Sequence, residues 1–165
     1  MPFWNIIIII EYIFILFYGK IVLGDVIMEH LTRTDLRKNI MTILYQINVY
    51  KTNKINYNID DIIKEVNPID NEFVKDMVYG VNIKMEELDD IANKYLNKWT
   101  IDRLGNTDQA ILRMGIFEIL YMNTPDIVAI NEAVELAKNY SDDDVKNMIN
   151  AVLDNVYKEK IDNGK

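Results

Sequence analysis

The chain has 165 residues, 18 basic and 26 acidic side chains, a formal net charge of −8, no cysteine and one histidine, His30. That inventory excludes disulfides and thiolate metal sites, and it leaves no material for a zinc site or for Ser-His or Cys-His nucleophilic machinery. The six glycines are scattered, at positions 19, 24, 80, 105, 115 and 164, so no glycine-rich phosphate loop is present; the sequence points away from catalysis, and no cofactor is expected.

The chain opens on MPFWNIIIIIEYIFILFYGKIVLGDVIMEH, an apolar run ahead of an acidic body. As a membrane span the run is short, since ~20 mostly apolar residues are needed and Asn5 and Glu11 interrupt it. Glu11 near mid-bilayer would cost about 2.5–3.5 kcal/mol. As a secretion signal the segment lacks a basic region before the apolar run and a small-x-small cleavage site after it. A third reading comes from codons. Gly24-Asp25 can be encoded GGA-GAT, which sets GGAG about eight nucleotides before the Met28 codon, like a ribosome-binding site. The reading adopted is that residues 1–27 are a hydrophobic leader arising from a mis-assigned start and lie outside the fold, with an anchor or a signal as the alternatives.

Without residues 1–27 there remain 17 basic and 24 acidic side chains, net −7, on about 138 residues, enough for one domain with a real core. Residues 28–54 carry five bases and two acids, whereas residues 55–165 carry twelve bases and twenty-two acids. The division suggests an anion-binding end on an acidic body able to attract a basic partner; the plainer reading is two solvated faces.

Helical periodicity dominates from residue 32 onward. In TRTDLRKNIMTILYQINVY, Leu36, Ile40, Ile43, Leu44 and Ile47 fall on one stripe, and Thr32 with Asp35 has capping-box spacing. Arg33 and Arg37 are one turn apart beside that stripe, with Lys38 on the next row. NYNIDDIIKEV predicts a short helix ending before Pro68. Asp70 to Trp99 predicts one long helix, or two joined near Gly80 to Lys84. A short turn and a break at Gly105-Asn106 precede a helix from Thr107, with Ala110, Ile111, Met114, Phe117 and Tyr121 on one face. Pro125 separates it from VAINEAVELAKNY, and a last helix begins at SDDD, where Ser141 and Asp144 repeat the capping-box spacing. No strand is predicted after Met28. The expectation is an all-α bundle of six or seven helices over residues 28–160, followed by a polar tail, 161–165.

DRLGNTDQAILRMGIFEILY, then P-x-x-VAINEAVELAK, then INAVLD, closely resembles the carboxy-terminal half of the NusB family of bacterial transcription antitermination factors, and RTDLRKNIMTILYQIN resembles its arginine-rich first helix; the resemblance covers about Leu31 to Tyr157. Family members begin near the position of Met28 and carry no hydrophobic leader. The resemblance implies a cytoplasmic, non-enzymatic, all-helical RNA-binding protein. It would pair with the ribosomal protein NusE, recognise boxA in leader transcripts, above all those of ribosomal RNA, and join the RNA polymerase elongation complex with other Nus factors.

Carried over residue by residue, the resemblance implies RNA contacts at Arg33, Arg37 and Lys38, an aromatic near the RNA at Tyr95, and an acidic position affecting RNA binding at Asp144. It places Tyr45 and Asp108 on the NusE-facing surface. Each also has an ordinary reading: Tyr95 and Tyr45 as packing, Asp144 as a cap, Asp108 as a helix-start charge. The basic run is thinned by Thr34 and Asp35, Lys38 stands where many members have Glu, Met148 where the last helix usually has an aromatic, and Ala151 where its NGVLD segment has Gly. Two other functions compete. One is the NusB-like domain of an RNA cytosine methyltransferase, for which the chain has no methyltransferase portion. The other is an acidic helical module that binds a basic protein without RNA.

Overall fold

The computed structural model describes residues 20–23, 26–29 and 31–164. The chain divides into two compact units, residues 1–35 and 36–165. In the first, β1 (Lys20–Leu23) pairs antiparallel with β2 (Val26–Glu29), with Lys20 opposite Glu29 and Leu23 opposite Val26. No strand was expected beyond Met28, and β2 continues through Glu29. The signal for this hairpin, the β-branched runs Ile21-Val22 and Val26-Ile27 flanking Gly24-Asp25, lies before Met28, and only Glu29 of β2 falls beyond it. The expectation that residues 1–27 form a leader outside the fold falls mainly on residues 1–19, 24 and 25, which lie outside the described residues.

Seven α-helices follow: α1 (Arg33–Thr52), α2 (Ile59–Val66), α3 (Glu72–Ile83), α4 (Met85–Tyr95), α5 (Asn106–Tyr121), α6 (Asp126–Tyr140) and α7 (Asp143–Asp162), with a single 3-10 turn at Ile101–Arg103 before α5. The start of α1 is the capping box that the spacing predicts. The Asp35 amide donates to Thr32 Oγ1 at 3.2 Å, and the Thr32 amide to the Asp35 carboxylate at 2.9 Å. Asn58 and Asn71 cap α2 and α3 through their side-chain oxygens. The Asp70–Trp99 stretch is two helices hinged at Lys84. The last helix runs through Asp162, two residues into the stretch expected as a polar tail.

Ser141 does not cap α7. The cap position is Asp142, and the Ser141 hydroxyl instead donates to Asp108 on α5. Because that hydroxyl reaches across to another helix, the local pairing with Asp144 does not form.

Helix α5 is the centre of the bundle: every residue from Ala110 to Ile119 is buried, and α3, α4, α6 and α7 all pack against it. One apolar face was expected; burial on all sides follows from four neighbours. Two glycines permit the approach. A Cβ on Gly80 of α3 would lie 2.0 Å from the Phe117 ring of α5, and one on Gly115 of α5 would meet Leu153 of α7 at 3.0 Å and Ala133 of α6 at 3.3 Å. Among the described residues no helix is long and apolar enough to cross a membrane.

Candidate nucleic-acid and partner interface

Placing seven expected site residues on this bundle separates those that can reach a ligand from one that cannot. Arg37 was expected beside the apolar stripe, open to RNA. It is instead buried, with 4% of its surface exposed, and its guanidinium is held by carboxylates: Nε and Nη2 donate to Glu118 at 3.0 and 2.5 Å, and Nη1 to Glu132 at 3.4 Å. Phe73 covers the guanidinium at 5.4 Å, and Thr124 donates to the same Glu118 carboxylate at 2.7 Å. The helix period that sets Arg37 one turn from Ile40 and Met41 carries it into the core, where its charge needs buried partners. Arg33, in the first turn of α1, is exposed.

Lys38 is exposed, with its ammonium 5.9 Å from the ring centroid of Tyr140 at the end of α6. Tyr140 leads directly into Ser141, which bonds Asp108. Asp108 in turn lines an open groove of about 530 Å³ with Asn97, Trp99, Leu104, Asp144 and Met148. Lys38, Asp108 and Asp144 are thereby linked along one surface. Tyr45, 42% exposed, lies two helical turns beyond Lys38 on the same flank of α1. The residues expected to meet RNA and those expected to meet a protein partner therefore adjoin: Asp108 and Asp144 line one groove, and Lys38 and Tyr45 share one flank. Met148 is half-buried in the groove wall.

Tyr95 stands apart. Its hydroxyl donates to Glu159, whose other oxygen accepts from Lys94 at 2.5 Å. Glu159 is fifteen residues beyond Asp144 on α7, about 22 Å along the axis at ~1.5 Å per residue. Burial and then the Glu159 hydrogen bond raise the Tyr95 pKa, against Lys94, which lowers it.

Two features carry no signal in the sequence pattern. Trp99, 49% exposed, falls at the end of the stretch predicted as helical; it sits in the groove with the Arg103 guanidinium 5.1 Å from its ring. The second is a buried polar knot. Arg113 of α5 grips Asp89 of α4 through Nε and Nη2 at 2.6 and 2.8 Å and donates to Asn48 of α1 at 2.8 Å. Nearby Lys51 has its pKa lowered, chiefly by partial burial, then by Arg113, with Asp89 opposing. Among the described residues no His, Asp and Glu cluster is placed to hold a metal ion.

Fold and surface together define an all-helical binding domain, with its charged and aromatic groups displayed on exposed helix flanks and one groove. Residues 34–158 match the model of the NusB family. The chain is 40% identical over 129 residues to the transcription antitermination protein NusB of Staphylococcus aureus strain N315, covering 78% of this chain and all of that protein. It is 37% identical over 131 residues to the NusB of Pediococcus pentosaceus, covering 78% and 98%. Among solved structures, T. maritima NusB matches with a TM-score of 0.68 at 27% identity over 78% of this chain and 92% of that one. A chain from a crystal structure of antitermination factors NusB and NusE in complex with dsRNA matches with a TM-score of 0.66 at 27% identity, over 77% and 96%. The chain belongs to the NusB family, whose members are transcription antitermination factors and not enzymes.

Proposed function

We propose that the protein binds boxA leader RNA together with the ribosomal protein NusE and, in the cytoplasm, joins the RNA polymerase elongation complex and other Nus factors to promote transcription of ribosomal RNA. The observation that carries the reading is the match to a chain of the crystal structure of NusB and NusE in complex with double-stranded RNA, which extends over 96% of that chain. RNA runs past Arg33 and Lys38 at the start of α1 and reaches Asp144. Phosphate contacts at the two cations supply salt-dependent affinity, and the Asp144 carboxylate, exposed in the first turn of α7, is an acceptor for N–H donors on a base edge. NusE docks against Tyr45 and Asp108. Because these groups adjoin the RNA residues on α1 and in the groove, the partner and the RNA meet, and each is expected to strengthen the binding of the other. Tyr95 contributes through Glu159, by holding α4 to the far end of α7.

An electrophoretic mobility shift of boxA RNA, with and without NusE, over a range of salt tests the proposal. Binding that NusE enhances and salt weakens is expected. NusE binding with no RNA shift under any condition would replace the proposal with the acidic protein-binding module.

A further inference from the structure

We infer that Trp99 and Arg103 form a stacking platform for one unpaired RNA base, an assignment that rests on the RNA-binding reading above. The segment carrying Trp99 is pinned at both ends. Leu96 and Ile101 are buried, 6% and 2% exposed, and the Ile101 amide donates to Asn93 Oδ1 at 2.8 Å. Between them Lys98 adopts the left-handed conformation, φ 64°, a sharp reversal uncommon for a residue other than glycine. This frame holds Trp99 with half of its surface exposed at the edge of the groove, although an indole is among the largest apolar side chains and is ordinarily covered. Arg103 lies beside the ring at 5.1 Å and is itself exposed; among the described residues no carboxylate pairs with it.

The charge around the groove selects the occupant. Arg103 lines the groove beside the indole, with the exposed Lys98 next to Trp99 in the chain; Asp108 and Asp144 line it as well, and Leu104, Val145 and Met148 supply apolar surface. A basic peptide would meet the cations, and an acidic one the carboxylates. A nucleotide carries both complements: a phosphate for Arg103, a flat apolar face for Trp99, and amino N–H donors on the base edge for Asp144. Unpaired bases recognised by proteins are held in this way, on aromatic rings and guanidinium planes.

The chain has two tryptophans, so a full-length Trp4→Phe variant reports on Trp99 alone. Titrated with boxA RNA in the presence of NusE, its fluorescence is expected to quench with the same midpoint as the mobility shift. Trp99→Ala should weaken RNA binding about tenfold or more, and Trp99→Phe should recover most of that loss. Arg103→Gln should flatten the log-log salt slope by ~0.7, with circular dichroism unchanged in all three. Parent-like RNA affinity in Trp99→Ala, with Trp99 emission indifferent to bound RNA, would overturn the platform and leave RNA binding standing. A quench produced by NusE that added RNA leaves unchanged would assign the groove to the protein partner and overturn the platform. Absence of RNA binding by the parent itself would overturn both readings.

Discussion

The guanidinium of Arg37 on α1 and the carboxylate of Glu118 on α5, eighty-one residues apart in sequence, form a two-pronged ion pair in which both side chains are almost wholly buried. Removing one partner of such a pair leaves an uncompensated buried charge and costs about 3–5 kcal/mol. Against a total stability of ~5–15 kcal/mol that is a large fraction. Arg37→Glu, which would bring three carboxylates together, is therefore expected to unfold the domain or lower its melting temperature steeply by circular dichroism. Replacing both Arg37 and Glu118 with Met should be far better tolerated. A stable, fully helical Arg37→Glu protein would contradict the burial described for this residue.

Gly80 of α3 lies directly against the Phe117 ring of α5. A methyl group there would stand 2.0 Å from the Phe117 ring, so Gly80→Ala forces ring or helix to shift, at a cost of about 1–3 kcal/mol. Urea denaturation should show the loss, and Phe117→Leu in the same chain should restore part of it. Additive losses in the double variant would mean that the clash is not with this ring.

The Tyr95 hydroxyl donates to Glu159, and its pKa is raised by burial and then by that hydrogen bond, with Lys94 opposing. The folded state thus favours the protonated phenol. The sign follows: the stabilisation is fully present below the ordinary tyrosine pKa of 10.0 and is lost as pH rises through the raised folded value. Stability measured from pH 9 upward should decline more steeply in the parent than in Tyr95→Phe, which starts lower because it lacks the hydrogen bond. Parallel alkaline profiles would remove Tyr95 as the cause.

The course of the chain was largely legible. The Thr32/Asp35 box marked the start of α1, the break at Gly105 marked α5 to within one residue, and the Lys84 hinge lay at the edge of the interval expected for it. These are local signals, settled by caps and by the helical period. What the sequence hid depends on partners distant along the chain. Periodicity put Arg37 beside the apolar stripe, but only the position of Glu118 decides that its charge turns inward. Arg113 and Glu118 gave α5 the look of a two-faced helix, whereas each is buried against a complementary group from another helix. Ser141 had the spacing of a cap and instead binds Asp108 across the bundle. Trp99 carried no periodic signal because it lies between elements. For the candidate site, residue types on α1 and α7 were readable, but the groove that gathers Asp108, Asp144 and Trp99 exists only once three segments have met.

The affinity of boxA RNA as a function of salt, compared between the parent and an Arg33→Glu/Lys38→Glu variant with NusE present, tests the central claim most directly. Both positions are exposed on α1, so the variant should keep the parent's circular dichroism and melting temperature. RNA binding should weaken at least about tenfold at moderate salt, and the log-log slope should flatten by ~1.4, two phosphate contacts at ~0.7 each for single-stranded RNA. NusE association should stay within a few-fold. Parent-like RNA affinity with an unchanged slope would contradict the account, and α1 would not be where the RNA runs.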